Sequence, residues 1–226
     1  FRRMSRIRGL VPGLMGGIDR FLAVSEDDAE RFRRLGFAPS RVKVSGNLKV
    51  DNEIPEITEH EKLTLRKELG FREDDFVLLG SSTWEGEEAV MLRVWQQVKA
   101  AVPADLCIAD TTGELQRLTQ VADVVFVGKS LSPHLEGQTP IEAAGLGRPL
   151  LFGPGMSSFR SIAKDLVQVG AARVVHDSDE ISAEILAWMR DKSSRKAVGE
   201  AGRQWHFRNR GALNRTLEAI RQELSR

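Results

Sequence analysis

Short apolar runs alternate with amphipathic stretches along most of this chain. The apolar runs have the length and the valine- and leucine-rich composition of buried strands, and apolar residues recur at helical spacing between them. We predict strands at 76–80, 106–109, 124–128, 149–152 and 172–175. Regular alternation of strand and helix indicates a parallel sheet covered by helices on both faces. The predicted fold is therefore α/β, with a Rossmann-like, doubly wound parallel sheet.

The same pattern suggests how the chain divides into domains. An earlier strand, helix and strand are predicted at 21–24, 25–35 and 41–45, and a polar, proline-bearing segment follows Asp51. Helices are predicted at 59–69, 86–100, 113–121, 140–146, 158–169, 181–190, 194–201 and 211–224. We therefore expect the end of one domain and a linker at 1–55, the main α/β domain at 56–205 and a carboxyl-terminal helix at 206–226.

One turn of the main domain has the residues of a helix start. Thr139, Pro140 and Glu142 supply an N-cap hydroxyl, a proline at the first helical position and a glutamate three residues after the hydroxyl. This spacing is typical of a capping box. A helix that begins after a parallel strand directs free N–H groups and partial positive charge toward the carboxyl edge of the sheet. We therefore expect an anion to bind there.

Two other turns have a similar composition. Hydroxyls, a glycine and a glutamate also occur at 81–88 and at 110–115, each directly after a predicted strand. By topology, turns of this kind converge above the carboxyl edge of one sheet. Glycines allow close approach, hydroxyls and helix starts bind phosphate, and a glutamate accepts hydrogen bonds from ribose, so a nucleotide fits the three turns. Thr58 and Glu61 form a similar pair with no strand before them, and we interpret that pair as structural only.

Composition and motifs exclude several classes of protein. The 33 basic and 32 acidic residues give a net charge of +1, which argues against a nucleic-acid-binding surface. The dinucleotide-binding and P-loop glycine motifs do not occur at a strand-to-helix turn, and the sequence has no metal-ligand spacing and no nucleophile elbow. We therefore predict no bound metal and no cofactor.

Six blocks of sequence, in order along the chain, resemble motifs of the 3-deoxy-D-manno-octulosonic acid (Kdo) transferases. They are GNLKVD at 46–51, GSSTWEGEE at 80–88, DTTGELQRL at 110–118, DVVFVGKSL at 123–131, GQTPIEAAGLGRPLLFGPGMSSFRSIA at 137–163 and NRGALNRTLE at 209–218. The order of six blocks makes the resemblance much more specific than any single block.

This resemblance implies a GT-B glycosyltransferase of lipopolysaccharide core synthesis, with two Rossmann-like domains of which the carboxyl-terminal one holds the sugar nucleotide. The chain would be the carboxyl-terminal half with a remnant of the amino-terminal, acceptor domain. Its donor would be CMP-Kdo, and its acceptor lipid A or a precursor at the cytoplasmic face of the bacterial inner membrane, with peripheral membrane contact. Transfer would be inverting and metal-independent. The resemblance assigns no catalytic residue to this chain, because the family's general-base glutamate lies upstream.

The resemblance also assigns binding roles to particular positions. Thr112, Gly113 and Glu114 would lie beside the cytidine, and Glu142 would bind the ribose. The remaining residues assigned to the donor site are Lys49, Ser82, Thr83, Ser130, Gly137, Gln138 and Thr139, of which the hydroxyls and the Thr139 helix start would surround phosphate and sugar.

Some positions depart from the family's pattern. Gln138 and Thr139 replace a histidine and an asparagine, Lys129 replaces a glycine, and the loop with an Arg-His pair that the family carries near Asp105 is not found. Two alternatives therefore stay open. One is a catalytically silent nucleotide- or sugar-binding module of the same fold, and the other is a GT-B transferase that uses a different nucleotide sugar.

Overall fold

The structure of this chain is a computed structural model that describes residues 10–102 and 113–225. The strands are β1 Phe21–Ala23, β2 Val42–Val44, β3 Leu78–Ser81, β4 Val124–Val127, β5 Leu150–Phe152 and β6 Ala172–Val174. The helices are α1 Val11–Leu14, α2 Glu26–Arg34, α3 Glu59–Glu68, α4 Glu87–Ala101, α5 Leu115–Val121, α6 Ile141–Gly145, α7 Arg160–Gln168, α8 Ser178–Arg190, α9 Lys192–Asn209 and α10 Ala212–Leu224. The strand predicted at 106–109 lies outside the described residues.

Four strands of the main α/β region form one parallel sheet in the order β3-β4-β5-β6. Every residue of β4 and β5 is buried, which fits the continuous apolar runs VVFV and LLF of two central strands. Residues of α4, α8 and α9 pack with these strands in one hydrophobic core, in which Phe126, Ile181 and Trp188 are almost fully buried. The predicted parallel sheet with covering helices is confirmed. Its strands all place their carboxyl ends at the same edge.

The chain forms two compact units, and the last helix belongs to the first of them. Unit 1 comprises residues 1–53 and 208–226, and unit 2 comprises residues 54–207. In unit 1, β1 and β2 pair in parallel, and the Asp51 carboxylate accepts hydrogen bonds from the amides of Gly211 and Leu213 at 2.6 and 2.5 Å. These bonds fix the start of α10 to the segment that follows β2. Most of the segment 206–226 therefore belongs to unit 1, and it contains the helix α10.

The helices predicted at 194–201 and 140–146 require correction. The helix predicted at 194–201 runs from Lys192 to Asn209, and Gly202, just past the predicted end, packs against the backbone of Ala144 and does not end the helix. The helix predicted from Pro140 begins at Ile141, and Pro140 is its N-cap. A capping box needs a side-chain acceptor and an N–H at the N-cap, and proline has neither. The capping box predicted for Thr139 and Glu142 therefore does not form.

Two other helix starts have side-chain caps, at Ser25 and Thr58. The Ser25 hydroxyl accepts a hydrogen bond from the Asp28 amide at the start of α2. At the start of α3, Thr58 and Glu61 form a complete capping box. The prediction that the Thr58 pair is a structural helix cap is confirmed.

Candidate functional site

The candidate site is built on the turns that follow β3, β4 and β5 at the carboxyl edge of the sheet in unit 2. The turn after β3 carries Ser82 and Thr83, and the turn after β4 carries Lys129 and Ser130. Ser82 and Lys129 both have left-handed backbone conformations, with φ of +52° and +57°. Such conformations are unfavourable for residues other than glycine and often occur at functional sites.

A buried carboxylate joins the first two turns. Glu87, the first residue of α4, is only 2% exposed. Its Oε2 accepts hydrogen bonds from the amides of Trp84 and Lys129 at 2.9 and 2.6 Å, and its Oε1 accepts from the amides of Ser130 and Leu131, both at 2.9 Å. Four N–H donors satisfy the charge of this carboxylate without a basic side chain. Glu87 thus fixes the turn after β4 to the turn after β3.

Sequence reasoning did not select Glu87, although it lies in the block GSSTWEGEE. A signal was available in the helical period. Glu87, Val94 and Val98 are the buried positions of α4, at spacings of seven and four residues that place them on one face. The adjacent Glu88 is off that face and is exposed. A glutamate on the apolar face of a helix start therefore indicates a buried, hydrogen-bonded carboxylate.

Ser130 joins the turn after β4 to the turn after β5. Its side chain is fully buried, and the hydroxyl donates to the Val127 carbonyl at 2.6 Å and accepts from the Gly153 amide at 2.8 Å. The Ser130 carbonyl accepts a further hydrogen bond from the Gly155 amide at 2.8 Å. The hydroxyl predicted to contact phosphate or sugar therefore connects two loops of the protein.

Glycines in these turns allow backbone segments to pack together. A Cβ at Gly128 would lie 2.5 Å from the Thr83 Cα, and one at Gly153 would lie 2.7 Å from the Leu131 nitrogen. Gly137 has φ of +71°, and its Cβ would lie 2.5 Å from the Met156 sulfur. We expected Gly137 to make room for a ligand, but at all three positions the space is taken by the protein.

The predicted site residues in the helix starts have different surroundings. Glu142 is half-buried and makes no side-chain hydrogen bond within the described residues, and Thr139 is exposed, with a long 3.4 Å hydrogen bond from the Ile141 amide. Gln138, between Gly137 and Thr139, is half-buried. The Glu114 carboxylate pairs with the Arg117 guanidinium at 2.8 Å on the surface of α5.

Three predicted positions remain. Gly113 has φ of +88° and open space where a side chain would lie, and Thr112 is outside the described residues. Lys49 is exposed in unit 1, in a short 3-10 helix at Leu48–Asp51. The structure therefore brings together Ser82, Thr83, Ser130 and Gly137 through direct backbone contacts and neighbouring loops.

The loop after β4 carries three ionisable side chains, those of Lys129, His134 and Glu136. The pKa of Glu136 lies below its ordinary value, because the amides of Leu135 and Glu136 hydrogen-bond to its carboxylate and because the Lys129 ammonium is near. The His134 Nε2 lies 2.8 Å from the Glu85 carbonyl oxygen, so that ring nitrogen donates to the backbone. Within residues 10–102 and 113–225, no group of three or more metal-ligating side chains is assembled.

No helix in the described part of the chain is both long enough and apolar enough to span a membrane.

Comparison with known proteins identifies relatives over most of the chain. Residues 1–52 match a family model described as 3-deoxy-D-manno-octulosonic-acid transferase (kdotransferase). The chain is 27% identical to the 3-deoxy-D-manno-octulosonic acid transferase of Bordetella pertussis over 91% of this chain and 57% of that protein. The chain thus spans between half and two thirds of the length of the first curated relatives it matches.

Solved structures show the same fold at low sequence identity. The C-terminal CMP-Kdo binding domain of WaaA from Acinetobacter baumannii matches with a TM-score of 0.57 and 18% identity, over 64% of this chain and 95% of that domain. Anabaena Alr3699/HepE in complex with UDP matches with a TM-score of 0.64 and 15% identity, over 92% of this chain and 64% of that protein. The predicted resemblance and the GT-B fold class are confirmed.

Proposed function

We propose that this chain, which is related to the 3-deoxy-D-manno-octulosonic acid transferases along most of its length, is the donor-binding part of a glycosyltransferase that uses CMP-Kdo. The observation that carries the proposal is the joined set of turns at the carboxyl edge of the sheet. This edge is where ligands bind in open α/β sheets. The structural relative with the same fold is itself a CMP-Kdo binding domain, which supports this donor.

The geometry suggests which groups meet the donor. Glu87 already uses the amides of Trp84, Lys129, Ser130 and Leu131, so side chains and not these amides must contact the phosphate. Ser82 is exposed and Thr83 half-buried at the adjoining turn, so their hydroxyls can donate to phosphate oxygens. The half-buried carboxylate of Glu142 can accept hydrogen bonds from ribose hydroxyls.

The proposed reaction is direct displacement at the anomeric carbon of the donor sugar. The bond from that carbon to the phosphate oxygen breaks, and a bond forms to a hydroxyl of a lipid A-type acceptor. CMP leaves with the bonding electron pair, and donors at the turns stabilise its charge. The acceptor proton goes to a general base, which the resemblance assigns to no residue of this chain. Inversion, this acceptor and action at the cytoplasmic face of the inner membrane belong to the proposal.

Calorimetric titration of the chain with CMP tests the proposal directly. We expect CMP to bind, and UDP to bind about tenfold more weakly, because the site would select the base as well as the phosphate. A preference for UDP would indicate a transferase with a different nucleotide sugar. Failure of the folded chain to bind either nucleotide would contradict the donor-site assignment.

A second experiment separates an active transferase from a silent binding module. We expect the complete protein to restore growth of cells depleted of their own Kdo transferase. Binding of CMP without complementation would favour the silent module, for which the replacements at Gln138 and Thr139 would then be the first sites to revert to histidine and asparagine.

A further inference from the structure

Lys129 is held in an unfavourable backbone conformation by two hydrogen bonds. Its φ is +57°, in the left-handed region that glycine adopts most readily. Its N–H donates to the Glu87 Oε2 at 2.6 Å, and its carbonyl accepts from the Gly137 amide at 2.7 Å. These two bonds fix the direction of the Lys129 side chain. A lysine at such a position is an unusual choice unless its side chain has a role.

The ammonium group of Lys129 lies against an aromatic ring at the edge of the site. Its Nζ is 4.4 Å from the centroid of the Trp84 ring, and Trp84 is 49% exposed. The Trp84 amide donates to the same Glu87 oxygen that accepts from Lys129. One buried carboxylate thus positions both partners of the cation–π pair.

No other lysine or arginine occurs in the described turns at 82–86 and 128–140. Four amides of these turns, those of Trp84, Lys129, Ser130 and Leu131, are used by Glu87. Lys129 follows Gly128, on which the backbone of Ser82 and Thr83 packs. An anionic group that reaches the Ser82 and Thr83 hydroxyls can therefore pair with the ammonium of Lys129, the basic side chain of these two turns.

We propose that the Lys129 ammonium, positioned over Trp84 by buried Glu87, binds an anionic group of the nucleotide-sugar donor and so helps to determine donor specificity. This inference rests on the proposed donor-binding function. The group is the phosphate or the carboxylate of the acid sugar, since both are oxyanions that a lysine binds as a point charge. The Trp84 ring keeps the ammonium at the mouth of the site before the donor arrives.

A second lysine–tryptophan pair in the same unit provides a matched control. Lys99 Nζ lies 4.6 Å from the centroid of the Trp95 ring. Both residues lie on α4, four positions apart, so ordinary helix geometry brings them together. Lys99→Gln removes the same charge and the same kind of contact as Lys129→Gln, but it does so away from the turns of the site.

The test compares K129Q, K129R and K99Q with the unmodified chain in titrations with CMP, cytidine and free Kdo. We expect K129Q to bind CMP about tenfold more weakly, the effect of one charge-assisted hydrogen bond at a half-exposed position. K129R should stay within about threefold of the unmodified chain because it keeps the charge. K99Q should bind all three ligands unchanged.

The three ligands identify the bound group. If Lys129 binds phosphate, K129Q loses affinity for CMP and not for cytidine or Kdo. If it binds the sugar carboxylate, the loss appears with free Kdo and not with CMP. Unchanged affinity of K129Q for both CMP and Kdo would overturn the inference. An equal loss in K99Q would also overturn it, because the effect would then come from net charge.

Two further measurements keep the inference testable. Should K129Q fail to unfold cooperatively, K129G replaces it, because glycine adopts the left-handed conformation readily and the same loss of affinity is expected. If the unmodified chain binds neither CMP nor UDP, the proposed function fails by itself. Titration with inorganic pyrophosphate then tests whether Lys129 binds an anion. Equal affinity of K129Q and the unmodified chain for pyrophosphate would overturn the inference.

Discussion

Two turns of unit 2 have the same composition and use their glutamates in opposite ways. The turn that ends at Glu87 and the turn that ends at Glu142 each contain hydroxyls, a glycine and an acidic residue. Glu87 is 2% exposed and accepts four backbone hydrogen bonds, whereas Glu142 is half-buried and makes no side-chain hydrogen bond within the described residues. The comparison teaches that burial, and not composition, separates a glutamate that builds a turn from one that remains available to a ligand.

The helix that follows each turn explains this difference. The helix α4 has fifteen residues and buries its first residue together with Val94 and Val98, so the Glu87 carboxylate is carried into the core. The helix α6 has five residues and buries Ile141, Ala143 and Ala144, so Glu142 lies between buried positions. A carboxylate in the core needs donors, and the turn after β4 supplies three amides for Glu87. No such need arises at Glu142.

The largest expected effect is that of Glu87→Ala. The substitution leaves four buried or partly buried N–H groups without an acceptor, and each unsatisfied group carries a desolvation cost. We expect the free energy of unfolding to fall by about 3 to 5 kcal/mol, measured by urea denaturation. Glu88→Ala is the control, because Glu88 is the exposed neighbour, and its effect should stay within about 0.5 kcal/mol. Equal effects of the two variants would contradict the role of Glu87.

The next largest effect concerns the glycine on which the two turns pack. Gly128→Ala would place a Cβ 2.5 Å from the Thr83 Cα and 2.7 Å from the Ser82 carbonyl carbon, and backbone atoms have little freedom to move. We expect a loss of about 2 to 3 kcal/mol in the same urea experiment.

Gly70→Ala separates this steric effect from backbone strain. Gly70 has φ of +82° but nothing within 4 Å of its Cβ position, so alanine there costs only the left-handed conformation. That cost is about 1 kcal/mol. If Gly128→Ala were no more destabilising than Gly70→Ala, the close packing of the two turns would not hold.

The third prediction concerns Glu142, the glutamate that builds no turn. Glu142→Gln should leave the free energy of unfolding unchanged within about 0.5 kcal/mol, because the carboxylate supports no other group of the protein. Under the proposed function, the affinity for CMP should fall about tenfold, since an amide oxygen is a weaker acceptor for ribose hydroxyls than a carboxylate. Calorimetry measures the affinity. The affinity of Glu142→Gln for cytidine should fall by the same factor, because both ligands contain the ribose. A loss of affinity for CMP alone would contradict the assignment of Glu142 to the ribose.

The fold was predictable because its signals are local. The apolar runs of β4 and β5, and the side-chain caps at Ser25 and Thr58, depend on neighbouring residues only. The extension of α9 through Gly202 was not predicted, since that glycine is tolerated through close contact with Ala144, more than fifty residues away in sequence.

The location of the turns was predictable, but the contacts between them were not. Topology alone places the turns after β3, β4 and β5 at one edge of the sheet. Ser130 and Gly137 were assigned to the donor site, yet Ser130 bonds to Gly153 and Gly137 packs against Met156, both on another loop. Roles that depend on contacts between distant loops cannot be derived from the residue types of one turn.

The smallest effects are expected at two threonines near helix starts, Thr58, which forms a capping box, and Thr139, which does not. At Thr58 the hydroxyl accepts from the Glu61 amide at 3.2 Å and donates to its carboxylate at 2.7 Å. Thr58→Ala should therefore cost about 1 kcal/mol in urea denaturation at neutral pH. Thr139→Ala removes only the 3.4 Å contact with the Ile141 amide and should cost a few tenths of a kcal/mol.

At acid pH the destabilisation caused by Thr58→Ala should become smaller, and that caused by Thr139→Ala should stay the same. The amide and the hydroxyl of Thr58 hold the pKa of Glu61 below its ordinary value. A carboxylate with a lowered pKa in the folded state stabilises the protein above its unfolded pKa, and this contribution is lost as the pH falls through the folded pKa. As the pH falls over that range, the free energies of unfolding of Thr58→Ala and of the unmodified chain should therefore come closer together. The Thr139→Ala difference involves no carboxylate and should stay constant, so parallel narrowing in both variants would contradict the assignment of the capping box to Thr58 alone.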